Sequence, residues 1–284
     1  MNRDSRRPAL IDAESLSRRL ASASPAVLLD VRWQLGGSDG REEYLTGHLP
    51  GARYINLDRD LSAPPGAAGR HPLPEVGTLQ ATLRHLGIGA SSSVVAYDAA
   101  GGTSAAARAW WMLRYVGHDD VAVLDGGIGA WLAAGGELTD EVPQVEPGEI
   151  VVAPGAMTVL SADDAADVAR RATLLDARAP ERYRGDVEPV DPVGGHIPGA
   201  VSAPTSANLG PDGRFLEAQD LRRRFQALGV ERAANIGVYC GSGVTAAHEV
   251  LALELAGYRA GLYPGSWSAW VADGRRPVAT GDAP

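Results

Sequence analysis

The chain contains no lysine, so all 26 of its basic side chains are arginines. That absence excludes a Walker A phosphate loop, a pyridoxal-phosphate Schiff base and any lysine general base. Cysteine is nearly as scarce: Cys240 is the one thiol in 284 residues. No internal disulfide can form, which fits a reducing compartment. No apolar run approaches the roughly 18 residues that span a bilayer, and Met1 to Pro25 lacks the apolar core of a signal peptide. Excess basic charge is missing too. The formal net charge is −9 and the pI about 5.2, which gives a nucleic acid or an anionic membrane no electrostatic footing. These absences read as a soluble cytoplasmic protein.

Several motif fragments fail on spacing. The six histidines and one cysteine show no metal-ligand pattern, and neither a metal nor an organic cofactor is expected. His248-Glu249 has no second histidine four residues on, and Gly126-Gly127-Ile128-Gly129 lacks the full dinucleotide fingerprint. Gly265-Ser266 lacks the spacing of a nucleophile elbow.

What is present is a repeat. Leu28-Leu29-Asp30-Val31-Arg32 recurs as Leu174-Leu175-Asp176-Ala177-Arg178, and Gly47-His48-Leu49-Pro50-Gly51-Ala52 as Gly195-His196-Ile197-Pro198-Gly199-Ala200. Val94 to Asp98 matches Ile236 to Cys240, with Gly101 and Thr103 opposite Gly243 and Thr245. Asp125-Gly126-Gly127 with Trp131 echoes Pro264-Gly265-Ser266 with Trp270. Four blocks in the same order indicate a duplicated domain. Each half alternates helical and strand patterns. Helices are expected over 12–21, 78–86, 161–171, 218–228 and 246–256, and strands over 27–31, 53–55, 121–124, 173–177, 201–203 and 260–263. Such alternation implies an α/β fold with a mainly parallel sheet covered by helices on both faces. The expected division is a first domain over 1–140, a linker over 141–155 that holds Pro143 and Pro147, and a second domain over 156–284.

The chemistry is expected at Tyr239-Cys240-Gly241-Ser242-Gly243-Val244-Thr245. A β-like run, Ile236 to Tyr239, ends at Cys240, and a helical run follows. Strand, glycine-bearing loop and helix start would set the sulfur against backbone N–H groups and the positive end of a helix dipole. The reactive form of a cysteine is its thiolate, which such surroundings favour. Gly241 and Gly243 permit close backbone approach and unusual φ, which a merely packed cysteine does not need. Features present twice are best explained as scaffold, and features present once as function. Cys240 occurs once, opposite Asp98, so the second half carries the nucleophile.

Cys-Gly-Ser-Gly-Val-Thr, the doubled Gly-His-x-Pro-Gly-Ala turn and the Asp-x-Arg strand ends resemble the tandem-domain rhodanese sulfurtransferases. The likeness covers essentially the whole chain, and the loop is typical of the 3-mercaptopyruvate branch. It implies two rhodanese-like domains, the first without a nucleophile, and a double displacement at Cys240. The thiolate takes sulfur from 3-mercaptopyruvate, releases pyruvate and passes the sulfur to a thiol such as thioredoxin or glutathione, or to cyanide. The resemblance places Arg182 on the substrate carboxylate, with Arg184 less directly implied, and the N–H groups of Gly241, Ser242, Gly243, Val244 and Thr245 around the persulfide. It implies a proton relay of Ser242, His48 and Asp39, and Trp33 lining the cleft. One departure stands out. Where many members have a second substrate arginine nine residues after the first, this chain has Asp191. Three other readings compete. A thiosulfate sulfurtransferase shares the persulfide chemistry, and a non-catalytic sulfur-relay or redox-sensing module would use Cys240 without turnover. A phosphatase on the same fold would need arginine near position 246, which is alanine.

Overall fold

The computed structural model describes residues 8–37, 40–231 and 235–284. In chain order the first stretch contains β1 (Leu10–Ile11), α1 (Ala13–Leu20), β2 (Val27–Asp30), α2 (Gly40–Thr46), β3 (Arg53–Tyr54) and α3 (Leu57–Asp60). It continues with α4 (Val76–His85), β4 (Val94–Tyr97), α5 (Ala105–Tyr115), β5 (Val121–Leu124) and α6 (Gly127–Ala133). The second stretch contains α7 (Ala162–Arg171), β6 (Thr173–Asp176), α8 (Pro180–Arg184), β7 (Val201–Ser202), a 3-10 turn (Thr205–Asn208) and α9 (Ala218–Ala227). It ends with β8 (Ile236–Tyr239), α10 (Thr245–Leu255), β9 (Gly261–Leu262) and α11 (Ser266–Ala272).

Both sheets are parallel throughout. The first runs β1-β5-β4-β2-β3 and the second β7-β6-β8-β9. The order β3-β2-β4-β5 therefore repeats as β7-β6-β8-β9, and the sequence repeat is a repeat of topology. β4 and β8 are buried along their whole length, as the apolar runs VVAY and IGVY require of central strands in a doubly covered sheet. α5 and α10 follow them and are buried on nearly every face, as their mainly apolar sequences favour, with Arg108, Arg114, His248 and Glu249 buried among the apolar residues. α7 begins on a capping box in which Ser161 and Asp164 satisfy each other's backbone N–H groups.

The chain separates into two compact units, one of residues 1–62 and 74–157, the other of 63–73 and 158–284. The excursion 63–73 thus joins the second unit, which a boundary drawn at a single point in the sequence does not anticipate. It is closed on itself by Ala63 N–H donating to Pro72 O at 3.0 Å. It is tied down by Arg70 N–H donating to Ser268 Oγ at 3.0 Å. Residues 148–153 stay with the first unit, through Gly148 N–H to Arg84 O, Ile150 N–H to Ile88 O and Ala153 N–H to Val116 O.

The loops after β4 and β8 differ in length as well as in chemistry. Six residues separate Asp98 from α5 and four separate Cys240 from α10. The helix starts therefore match Ala105, not Thr103, with Thr245. In the first unit the buried Asp98 carboxylate accepts N–H groups from Ala100 (2.9 Å), Gly102 (2.7 Å) and Ala106 (3.0 Å). Burial pushes this carboxyl up from its ordinary range, against the pull of those amides. Asp98→Ala should destabilise the protein by about 2 kcal/mol, because it leaves buried amides without their acceptor. Equilibrium denaturation would measure this, and a change below about 0.5 kcal/mol would show that the loop holds without its central carboxylate.

Candidate active site

Cys240 follows the last residue of β8 and is 1% exposed. Its Sγ accepts the N–H of Gly243 at 3.1 Å. Gly243 reaches that position with φ of +81°, and a Cβ there would lie 2.5 Å from Pro264 O, so only glycine fits. Val244 caps α10 and Thr245 opens it. The backbone of the cysteine is fixed from the other side by the segment after β9. Cys240 N–H donates to Ser266 Oγ at 3.1 Å, and Ser266 donates in turn to Tyr263 O at 2.8 Å. Trp267 N–H donates to Cys240 O and Ser268 N–H to Gly241 O, each at 2.9 Å. Ser266 has φ of +52° where the first unit has Gly127 at +56°. A serine in the left-handed region is strained by about 1 kcal/mol or more, and the bonds its hydroxyl makes, accepting from Cys240 N–H and donating to Tyr263 O, offset that strain.

Ser242, two residues past the cysteine, is buried, and its Oγ lies 2.7 Å from Nδ1 of His71. His71 comes from the 63–73 excursion. The histidine expected on Ser242 was His48, and the structure places it elsewhere. His48 Nδ1 faces Tyr44 O at 2.7 Å, Nε2 faces Glu141 O at 3.1 Å, and the ring stacks on Tyr44 with centroids 3.8 Å apart. His196 repeats this arrangement with Tyr183 O at 2.8 Å, Ala283 O at 3.0 Å and a Tyr183 stack at 3.7 Å. An imidazole held identically in the unit with Cys240 and in the unit with Asp98 in its place braces the Pro-Gly turn in both. Asp39 lies outside the described residues. Trp33 donates its indole N–H to Asp58 at 2.9 Å within the first unit.

Arg182 sits on α8, a short helix where sequence patterning gave only a loop. Its Nη2 pairs with Glu188 at 2.6 Å and its Nε with the same carboxylate at 3.2 Å. Burial disfavours the Glu188 carboxylate. Its bond to Arg182, with the N–H groups of Asp191 and Val190, nevertheless holds it below the usual range. A Cβ built on Gly241 would lie 3.3 Å from Arg70 Nη2 and 3.5 and 3.6 Å from Arg182 Nη1 and Nη2, so both guanidinium groups reach the nucleophile loop. Arg184, by contrast, pairs with Asp186 at 2.7 Å on the surface. Asp191, which stands where a second arginine was expected, accepts from Arg70 Nη1 at 2.6 Å.

Beneath the site lies a buried frame. Asp176 accepts Arg178 through Nε and Nη2, and Arg178 Nη2 also donates to Gly195 O at 2.6 Å. The Arg178 guanidinium lies 4.6 Å from the Trp267 ring. Asp30, Arg32 and Gly47 O form the same frame in the first unit. Among the described residues, no helix is long and apolar enough to cross a membrane.

Comparison with known proteins agrees with this anatomy. The model of the rhodanese-like domain matches residues 12–134 and again 160–273. A Pseudomonas aeruginosa protein carrying the name "Probable 3-mercaptopyruvate sulfurtransferase" is 47% identical over 284 residues, covering 96% of this chain and 98% of its own. A Mycobacterium tuberculosis protein provisionally named thiosulfate sulfurtransferase SseB is 46% identical over 282 residues, with the same coverages. The crystal structure of the 3-mercaptopyruvate sulfotransferase SseA from Escherichia coli superposes with a TM-score of 0.80 at 31% identity, covering 92% of this chain and 100% of that one. The chain belongs to the rhodanese family, with two rhodanese-like domains in tandem.

Proposed function

We propose that the protein is a sulfurtransferase that moves sulfur from 3-mercaptopyruvate through a persulfide on Cys240 to a thiol acceptor or cyanide. The Cys240 thiolate attacks the donor sulfur, and the carbon–sulfur bond breaks. Its electron pair leaves as the enolate of pyruvate, which the adjacent ketone stabilises. The outer sulfur stays on Cys240 until a thiolate such as that of thioredoxin or glutathione takes it, or cyanide leaves with it as thiocyanate. Each acceptor regenerates the cysteine thiolate. The Gly243 N–H directed at Sγ supports negative charge there in both resting and loaded states. Arg182 would hold the donor carboxylate, its Nη1 having no hydrogen-bond partner among the described residues. Acceptors of this kind belong to a reducing compartment, and the cytoplasm is the location that suits them.

The observation that carries the choice of donor is the 2.7 Å contact between Ser242 Oγ and His71 Nδ1. Mercaptopyruvate brings an S–H that must lose its proton and leaves as an enolate that must gain one. Thiosulfate is already an anion at its outer sulfur and leaves as sulfite, so it calls for no proton relay. A buried hydroxyl–imidazole pair two residues from the nucleophile therefore suits the thiol donor. His71 takes the relay role that the family resemblance assigned by position to His48. The thiosulfate reading keeps some support from the name of the mycobacterial relative and from the two guanidinium groups beside Gly241.

Incubation with 3-mercaptopyruvate should make the intact chain heavier by one sulfur atom. Cys240→Ser should remove both the gain and all turnover, and an unchanged gain in that variant would place the sulfur elsewhere. His71→Gln should lower kcat with 3-mercaptopyruvate by about 10²- to 10⁴-fold, the usual worth of a positioned acid–base group, and lower thiosulfate turnover far less. Steady-state kinetics with the two donors side by side decides this, and equal losses for both would remove His71 from proton transfer.

A further inference from the structure

The first unit has a cavity of about 510 Å³ at the edge of its sheet, where β3 meets α2, α3, α4 and the segment 142–145. All of its lining residues belong to that unit. We propose that this cavity is a binding site for a small organic anion, one with a flat aromatic body and a phosphate or carboxylate head, and that Arg53 recognises the head.

Charge is the first indication. The chain carries a formal net charge of −9, yet Arg41, Arg53, Arg59 and His85 all line this one cavity. Among the described lining residues the one carboxylate is Asp60, and Arg59 pairs with it at 2.7 Å. Among the described residues no carboxylate pairs with Arg53. Its Nη1 donates to Leu86 O at the end of α4, and its buried Nε has no hydrogen-bond partner. Burial pulls its guanidinium below the ordinary value, with no negative charge opposing that pull. Arg32, Arg178 and Arg224 are drawn inward too, and each rests on a carboxylate, that of Asp30, Asp176 or Glu249. A guanidinium that is partly desolvated and still lacks a counter-charge has the most to gain from an incoming anion.

The repeat supplies the second indication. β3 and β7 hold the same register on β2 and β6, so Arg53 and Tyr54 correspond to Val201 and Ser202. Tyr44 and Tyr183 donate to Ala52 O and Ala200 O, which aligns Arg41 with Pro180. The caps of α4 and α9, Leu86 and Leu228, align His85 with Ala227. Three basic side chains of the cavity thus stand where the second repeat has proline, valine and alanine. The fold forms without them there, and a feature present once is a candidate for function. Size and lining set the kind of ligand. The volume falls within the range of about 300–1,000 Å³ typical of small-molecule sites. The Tyr44 and Tyr54 rings, with centroids 5.6 Å apart, and Pro143 offer an aromatic and apolar wall to a flat body. A guanidinium matches the paired oxygens of a carboxylate or phosphate.

Calorimetric titration of the full chain with a matched series tests this. Naphthyl phosphate and naphthoate carry the two heads, and naphthol carries the same body without charge. The better of the two anions should bind at one site at least about 10-fold more tightly than naphthol, the worth of hydrogen bonds to a charged group, and its identity names the head. Arg53→Val, which installs the residue of the second repeat, should weaken that anion by about 10-fold or more and leave naphthol within about threefold. Should Arg53→Val fail to fold, Arg53→Gln, which keeps a hydrogen-bonding stem without the charge, gives the same readout. Anions bound no more tightly than naphthol, or an anion preference that survives in the Arg53 variant, would overturn the proposal. A loss shared equally by the anions and naphthol would make Arg53 structural and overturn it as well.

Discussion

A central strand that ends against the first turn of a buried helix gathers backbone N–H groups at one point, and those groups require an acceptor. This chain meets the requirement twice with different chemistry. After β4 the acceptor is the Asp98 carboxylate, which takes three amides. After β8 it is the sulfur of Cys240, which takes the amide of Gly243. A carboxylate fixed to the chain satisfies its loop with oxygens that are poor nucleophiles. A sulfur satisfies the same kind of loop yet can add a second sulfur and release it. The two loops thus differ in their central acceptor, a carboxylate in one unit and a sulfur in the other. The shorter loop after β8 and its glycine at positive φ bring the amide to the sulfur.

Everything behind that loop serves to keep it from moving. Asp176 and Arg178 form a buried ion pair whose second function is to hold Gly195 O of the Pro-Gly turn. Breaking such a pair by removing one partner is strongly destabilising, by about 3–5 kcal/mol, because a charge is left buried alone. The Tyr239 hydroxyl accepts the N–H of Ile197, and burial, with Asp176 close by, pushes its phenol well above the ordinary value. It stays a neutral spacer between strand and turn. Arg178 then reaches Trp267 across its ring face, and Trp267 N–H holds the carbonyl of Cys240. A continuous run of contacts therefore leads from the end of β6 to the nucleophile. The same aspartate, arginine and turn carbonyl recur in the first unit. There the residue holding the Asp98 carbonyl is Ile128, and no aromatic ring completes the run.

Local signals were enough for much of this. The period of the apolar residues placed α1, α7, α9 and α10 within a residue or two of their ends, and the repeat identified the corresponding strands. The strand–loop–helix reading at Cys240 needed only a few adjacent residues. What escaped were the short helices α2, α3, α6, α8 and α11, whose few turns are held by packing and carry little pattern of their own. His71 and Arg70 escaped for a different reason. Their contacts to Ser242 and Asp191 span 171 and 121 residues, and they lie in a Gly/Pro/Ala-rich stretch that reads as a plain loop. His48 drew attention because it sits in a recognisable motif, but that motif is doubled and His196 holds the same bonds. The doubling groups His48 with the scaffold, whereas nothing local in the sequence marks His71.

The two excursions that follow the second strand of each repeat make the point physically. In the second unit the segment after the 3-10 turn folds back as a small hairpin, with Gly210 N–H on Arg214 O and Leu216 N–H on Asn208 O. It lays Phe215 over His248 of α10, with ring centroids 4.5 Å apart. Its counterpart, 63–73, also closes on itself through Gly66 and Gly69, but it belongs to the second unit and brings Arg70 and His71 to the loop around Cys240. The same place in the fold thus lays an aromatic ring over α10 in one repeat and delivers a cation and an imidazole in the other. Cys240 is encoded in the second repeat and the residues around its loop partly in the first. A second repeat standing alone would keep its thiol, its amide and Arg182, but it would have no imidazole for Ser242, and Asp191 would lose Arg70 and keep only the 3.4 Å contact of Arg182. The first repeat, though it has no cysteine of its own, thus encodes the side chains that face Ser242 and Asp191 within the second unit.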